Sequence, residues 1–261
     1  MNKQLITKQA LLTIGILGII LAVLLDPISQ SEGYHHFSDQ RSFFYISNFL
    51  NVISNIPFLL VGMIGVFKLK KIERFSYIHE NRISYLLFYL GIIFVSFGSA
   101  YYHLSPTNDR LIWDRIPMTF AFMSLFAIIL SEFISERLGK QVSIPLILAG
   151  IVSVSYWYIS EKLNHGNLNY YVLVQFYPMI SIPIILIIFP SKLNKSNAYW
   201  YLFVFYFLAK ITEHFDDEIF SLLKLVSGHT LKHLFTSIGL FVVMYHFDKR
   251  RLLIYKSNKT C

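Results

Sequence analysis

Charge is scarce in this chain. Only 15% of its 261 residues are Asp, Glu, Lys or Arg, while 55% are hydrophobic. A soluble domain carries about a quarter charged residues. The deficit excludes an ordinary water-facing globule and makes lipid the solvent for much of the surface. Cysteine is scarcer still: with Cys261 alone, no disulfide can form within the chain. Strict polar–apolar alternation is missing too. Runs such as Leu11-Leu12-Thr13-Ile14-Gly15-Ile16-Leu17 do not alternate, which excludes a membrane β-barrel and leaves helices as the way to cross a bilayer. Internal repeats and low-complexity segments are absent. The net charge of +8 would suggest nucleic acid in a soluble protein. Here Lys and Arg sit in short loops and report topology, so no nucleic-acid partner is expected.

What is present is apolar length. Eight stretches approach the ~20 residues that a bilayer demands: 9–25, 48–67, 84–103, 114–134, 143–160, 170–190, 198–215 and 229–247. They predict an all-α, polytopic membrane helix bundle with short antiparallel connections. Lys3 and Lys8 precede the first stretch. Lys68, Lys70, Lys71, Arg74 and Arg82 follow the second, Arg137 and Lys140 the fourth, and Lys192 and Lys195 the sixth. Lys249, Arg250, Arg251, Lys256 and Lys259 form the tail. The other connections hold few basic residues. By the positive-inside rule both termini are cytoplasmic. No small-residue cleavage site precedes Asp26-Pro27, so the first helix is expected to remain as an anchor.

Polar side chains then stand out where lipid should exclude them. Ser99 and His103 are four apart at the outer end of the third stretch and share a helix face. Asp114 opens the fourth, in the position of a helix N-cap. His229 and His233 open the eighth at a spacing that chelates a metal from one helix. Asn48, Asn51, Ser54 and Asn55 form a polar stripe at the start of the second. The topology, drawn from Lys and Arg alone, puts all four groups at the non-cytoplasmic face. Three imidazoles with one open position is the pattern of catalytic zinc, and a nearby carboxylate can take a proton from water there. Ser99 is placed to donate to a developing oxyanion. His35, His36, His79, His165 and His246 fall in loops or at the cytoplasmic end and are expected to be solvated. So is the acidic run Glu213, His214, Asp216 and Asp217, whose other reading is support of the metal site from behind.

This order of motifs, Ser-x-x-x-His, then Asp, then His-x-x-x-His, resembles the alkaline ceramidases. They share a superfamily with the progestin and adipoQ receptors and the GPI-remodelling hydrolases. Asn51-Val52-Ile53-Ser54-Asn55 is similar to their Asn-x-x-Ser-Asn motif, and Trp113-Asp114-Arg115-Ile116-Pro117-Met118 to their Leu-Asp-Glu-Leu-Pro-Met. The likeness is closest to bacterial ceramidase-domain proteins and runs from about Tyr34 to Phe247. It implies a seven-helix core, here residues 34–261, preceded by one extra helix in an anchor segment, 1–33. It implies zinc held by His103, His229 and His233, Asp114 as base and proton shuttle, and Ser99 as oxyanion donor. The reaction would be hydrolysis of a ceramide-type lipid amide to a sphingoid base and a fatty acid. Asp39, Asn51, Asn55 and Lys232 would support the site from behind. The acidic loop that binds calcium in the eukaryotic enzymes reads Tyr34-His35-His36-Phe37-Ser38-Asp39-Gln40 here, with Asn48 near the family's Glu, which puts calcium in doubt. A bacterial inner membrane with the site toward the periplasm is the implied location, and the implied partner is a membrane lipid. Short loops give no sign of an obligate protein partner. Two neighbouring readings share the same residues: a zinc hydrolase of another acyl lipid, and a receptor-like protein with structural zinc. A transporter would need polar residues right through the membrane, whereas the cytoplasmic halves read as almost wholly apolar.

Overall fold

A computed structural model describes residues 3–71, 81–247 and 249–250. Arg74, His79, Arg251, Lys256, Lys259 and Cys261 lie outside the described residues. The described chain is helical: α1 (Lys3–Leu24), a short 3₁₀ turn (Glu32–His35), α2 (Phe49–Ile53), α3 (Ile56–Lys70), α4 (Arg82–Leu104), α5 (Asn108–Ile129), α6 (Glu136–Lys162), α7 (Asn169–Ile188), α8 (Ala198–His214), α9 (Asp216–Leu223) and α10 (Gly228–Phe247). Among the described residues, six helical stretches are long and apolar enough to cross a membrane: α1, α2 joined to α3, α4, α5 with its extension to Ile134, α6 and α7. The seventh and eighth expected spans are α8, with 17 residues, and α10, with 20, packed against each other within the bundle. All eight expected stretches are therefore helical.

The bundle follows the order α7, α6, α5, α4, α3, α10, α8, each packed on the next, and α1 leans on α7 from outside. The main core lies between α3, α4, α5 and α10, around Phe58, Phe88, Tyr89, Phe126 and Phe247. By contrast, α1 buries only Leu11 and Ala22.

Three local features differ from expectation. The second span breaks at Ser54-Asn55, so α2 and α3 are separate pieces. The fourth helix begins at Asn108, and its N-cap is Thr107, which accepts from the Arg110 amide. Asp114 is thus well inside the helix and is not a cap. The acidic run is not a plain loop: Glu213 and His214 end α8, and Asp216 and Asp217 open α9, a short amphipathic helix.

Close approach between α4 and α5 sets up the site. Pro117 has no N–H to bond the Trp113 carbonyl one turn back. That carbonyl leans on Gly98, where an added Cβ would come within 1.8 Å of it. Only glycine fits there, next to Ser99. A second contact of this kind, Gly228 against the Thr212 carbonyl at 2.0 Å from an added Cβ, seats the start of α10 on α8.

Candidate active site

The ends of α4 and α10 meet, and their three histidines converge. One nitrogen from each of His103, His229 and His233 lies within 4.8 Å of the others. Nε2 of His103 and Nε2 of His229 are 3.3 Å apart. Tetrahedral zinc with bonds of about 2.0–2.1 Å sets its ligand nitrogens about 3.3 Å apart. All three rings are buried, at 1%, 6% and 4% exposure, which is costly for polar groups without partners. With each ring's proton on its other nitrogen, the nitrogens that face this point are all acceptors, and a cation would satisfy all three. The donor set therefore fits a zinc-class ion.

The surroundings fix the rings. Nδ1 of His233 is 2.8 Å from Ser54 Oγ. That hydroxyl donates to the Asn51 carbonyl at 3.1 Å, so its oxygen accepts Nδ1–H and Nε2 keeps its lone pair for a metal. Asn48, in a left-handed conformation with φ 48°, donates from Nδ2 to the His103 carbonyl at 2.8 Å. Thr230, between the two histidines of α10, donates to Asn51 Oδ1 at 2.8 Å. Phe37 lies over the rings, its centroid 4.7 Å from His103 and 4.4 Å from His229. Asp216 accepts from the His229 amide at 2.6 Å and from Ser38 N and Oγ at 3.0 and 2.8 Å. One carboxylate thus anchors both the first turn of α10 and the loop carrying Phe37.

Beside the histidines, Ser99 and Asp114 are buried side by side along the same cavity, and Asp114 Oδ1 is buried with no hydrogen-bond partner. Both residues and His233 line a cavity of about 490 Å³. The cavity descends between α4, α5, α7, α8 and α10 to Ile129 and Tyr199. From Asp114 to Ile129 it covers about 22 Å of helix at about 1.5 Å per residue. That exceeds one leaflet's half of a ~30 Å hydrocarbon core. Its walls below the polar end are apolar, among them Phe88, Ile92, Met118, Leu125 and Leu240.

The supporting residues divide. Asn51 is tied into the site by Thr230, while Asn55 bonds its own helix, from Nδ2 to the Asn51 carbonyl at 2.8 Å. Lys232 is ion-paired with Glu213 at 2.8 Å, and Glu213 also takes Lys210 at 2.6 Å. Asp39 is 2% exposed and grips Arg41 at 2.8 and 2.7 Å in the loop below Phe37. Burial pushes the Asp39 carboxyl up, but Arg41 outweighs this and holds it below the usual range. Two expectations of solvation fail. Glu213 and Asp216 are structural partners, as above. His35 bonds Tyr102 OH at 2.9 Å and Asn108 at 3.0 Å, and burial draws its pKa below the ordinary imidazole value. The sequence gives little local signal for Phe37, Glu213 or Asp216, whose partners are distant in the chain.

The family model for ceramidase matches residues 39–260, most of the chain and every residue of the histidine cluster. No curated protein matches the chain. The matched family implies a hydrolase that acts on the amide bond of ceramide, a lipid substrate. On the span of that match, the chain belongs to the ceramidase family.

Proposed function

We propose that the protein is a zinc-dependent intramembrane amidase that hydrolyses ceramide-type N-acyl sphingoid lipids to a sphingoid base and a fatty acid. The observation that carries this is the convergence of three buried imidazole nitrogens at the head of an apolar cavity lined by Ser99 and Asp114. His103, His229 and His233 would hold the ion. When bound, zinc supplies Lewis acidity, polarising a carbonyl and bringing the pKa of water from 15.7 to about 7.

The chain's own groups do the rest. The cavity takes a hydrocarbon tail and lays the amide across the polar end. Asp114 accepts the proton of the attacking water as the C–O bond forms. Ser99 donates its hydroxyl hydrogen to the oxyanion on the former carbonyl oxygen. Asp114 then returns the proton to the amine nitrogen as the C–N bond breaks, which lets a neutral amine leave. Phe37 covers the histidines and keeps bulk water from the charge that develops there. The site faces the non-cytoplasmic side of a bacterial inner membrane in this reading, and residues 1–33 act as an anchor outside the catalytic unit, 34–261.

The test is fatty acid release from a panel of ceramides and phospholipids by purified protein in detergent, before and after chelation. Ceramide cleavage that stops on chelation and returns with zinc is the expected result. Cleavage of acyl esters alone would overturn the ceramide assignment. Stoichiometric zinc with no hydrolysis of any lipid would overturn the amidase.

A further inference from the structure

One buried cation at the polar end of the cavity is used by nothing described so far. Arg115 is 4% exposed and lines the cavity beside Asp114. Its guanidinium lies 4.2 Å from the Trp157 ring centroid, 4.7 Å from Tyr171 and 5.5 Å from Tyr34. These rings hold the cation by its π-faces. Nη2 donates to Gln30 Oε1 at 2.5 Å. Nε and Nη1 are buried without hydrogen-bond partners, and among the described residues no carboxylate forms an ion pair with Arg115. Glu161 is nearby, but its Oε1 is taken by the Gln30 amide at 2.7 Å and by Trp157 Nε1 at 3.2 Å. It braces the cage instead of neutralising it.

A guanidinium held among aromatic rings, lining the cavity and with two donor nitrogens unpartnered, is suited to receive an anionic acceptor. The charges agree. Arg115, Lys210 and Lys232 line the cavity against Asp114 and Glu213, and Glu213 already serves both lysines. A metal ion would add further positive charge. Two buried donor nitrogens without partners are expensive, and a ceramide head, with hydroxyls only, neutralises no charge.

We propose that Arg115 docks an anionic group, a carboxylate or a phosphate monoester, on the head of the N-acyl lipid that enters this cavity. The inference rests on the amidase reading for the fate of that lipid but not for its binding.

The experiment uses full-length zinc-loaded protein in detergent and two matched pairs of probes. The pairs are N-palmitoylglycine with N-palmitoylethanolamine, and a ceramide phosphate monoester with its parent ceramide. Acetate and inorganic phosphate serve as free-ion controls. Thermal unfolding reports binding, and fatty acid release reports turnover. The charged member of each pair binds more tightly to the natural protein. Arg115→Gln weakens the charged member alone, on the order of 10- to 100-fold, the worth of a charged hydrogen bond. Arg115→Lys keeps part of the preference, since charge survives and the planar fork does not. Equal binding within each pair would overturn the proposal, as would an equal loss for both members in Arg115→Gln. If Arg115→Gln does not fold, the pairs on the natural protein and Arg115→Lys still decide. Stabilisation by acetate or phosphate as strong as by the lipids would overturn a lipid head as the source. A charge preference with no fatty acid release from any probe would leave the docking point standing and remove the amidase.

Discussion

Two clusters of buried polar side chains sit at opposite ends of this bundle, and they are built on opposite principles. At one end His103, His229 and His233 turn ring nitrogens toward a common point and leave Asp114 Oδ1 without a partner. At the other, Glu132 accepts from Arg250 Nη1 at 2.9 and 3.1 Å, from Tyr199 OH at 2.9 Å and from Tyr85 OH. Glu132 and Arg250 are 1% and 0% exposed. A buried charge within a membrane bundle is taken as functional by default. The comparison sharpens that rule. The Glu132 cluster finds its counter-charge within the chain, so it fixes structure. The histidine cluster turns its nitrogens inward on a point that calls for a cation, so it is arranged for a ligand.

Matched amide substitutions test the contrast most strongly. Asp114→Asn should lower fatty acid release about 10²- to 10⁴-fold, the usual worth of general acid–base catalysis. Bound zinc, measured by elemental analysis, should be unchanged. Glu132→Gln should leave the rate per folded molecule within a few-fold. A rate loss as large in Glu132→Gln would mean that the far cluster takes part in turnover, and the division would fail.

Stability should divide the other way. Removing one partner, as in Glu132→Ala, takes the carboxylate away from buried Arg250, at a cost of about 3–5 kcal/mol. The thermal midpoint in detergent should fall while zinc stays bound. Replacing both charges, Glu132→Leu with Arg250→Met, should recover most of the loss, because a well-packed apolar pair avoids desolvation altogether. If the double variant is no better than the single, the cluster does more than satisfy itself.

The two clusters were also unequally legible. Ser99 with His103, and His229 with His233, advertise themselves by four-residue spacing at the ends of apolar stretches, and Asp114 lies close by in sequence. Glu132 and Arg250 are 118 residues apart. Each taken alone is a charge near a span's end, and Arg250 counted only toward topology. The expectation that this end is almost wholly apolar was therefore wrong. Helix number and order followed from apolar length, since a bilayer sets that length in advance. Helix starts did not: α5 begins at Asn108, ahead of the apolar stretch, with Thr107 as its cap. The part that Asp216 plays is set by distant partners, since it joins Ser38 to His229.

A smaller effect probes how the histidine cluster is held. Ser54→Ala removes the acceptor for His233 Nδ1–H but leaves the ring in place. Partners of this kind are worth about 10- to 100-fold in metal affinity, so zinc competition with a chelator should show a loss in that range with little change in unfolding midpoint. The contrasting substitution is Ser84→Ala at the other end, where the hydroxyl only meets Ser143 at 3.4 Å. It should alter neither. Equal zinc affinity in natural and Ser54→Ala protein would show that packing, and not that hydrogen bond, orients His233.

The smallest effect compares two carboxylate–arginine pairs. Glu132–Arg250 is sealed in the bundle. Asp39–Arg41 sits in the loop under Phe37, and Arg41, 38% exposed, also donates to the carbonyls of Lys224 and Leu225 at 3.2 and 2.7 Å. Burial raises the Asp39 pKa, but hydrogen bonds and charge from Arg41 reverse the shift and hold it low in the folded state. A carboxyl with a lowered folded pKa contributes stability that is present above its unfolded value, about 3.9 for Asp. That contribution is lost as pH falls through the folded value. Unfolding midpoints should therefore decline below about pH 4 by more in the natural protein than in Asp39→Asn. Added salt should shrink the difference, because an exposed arginine is screened. An acid decline of the same size in Asp39→Asn would show that the Asp39–Arg41 pair does not set the acid limit of stability.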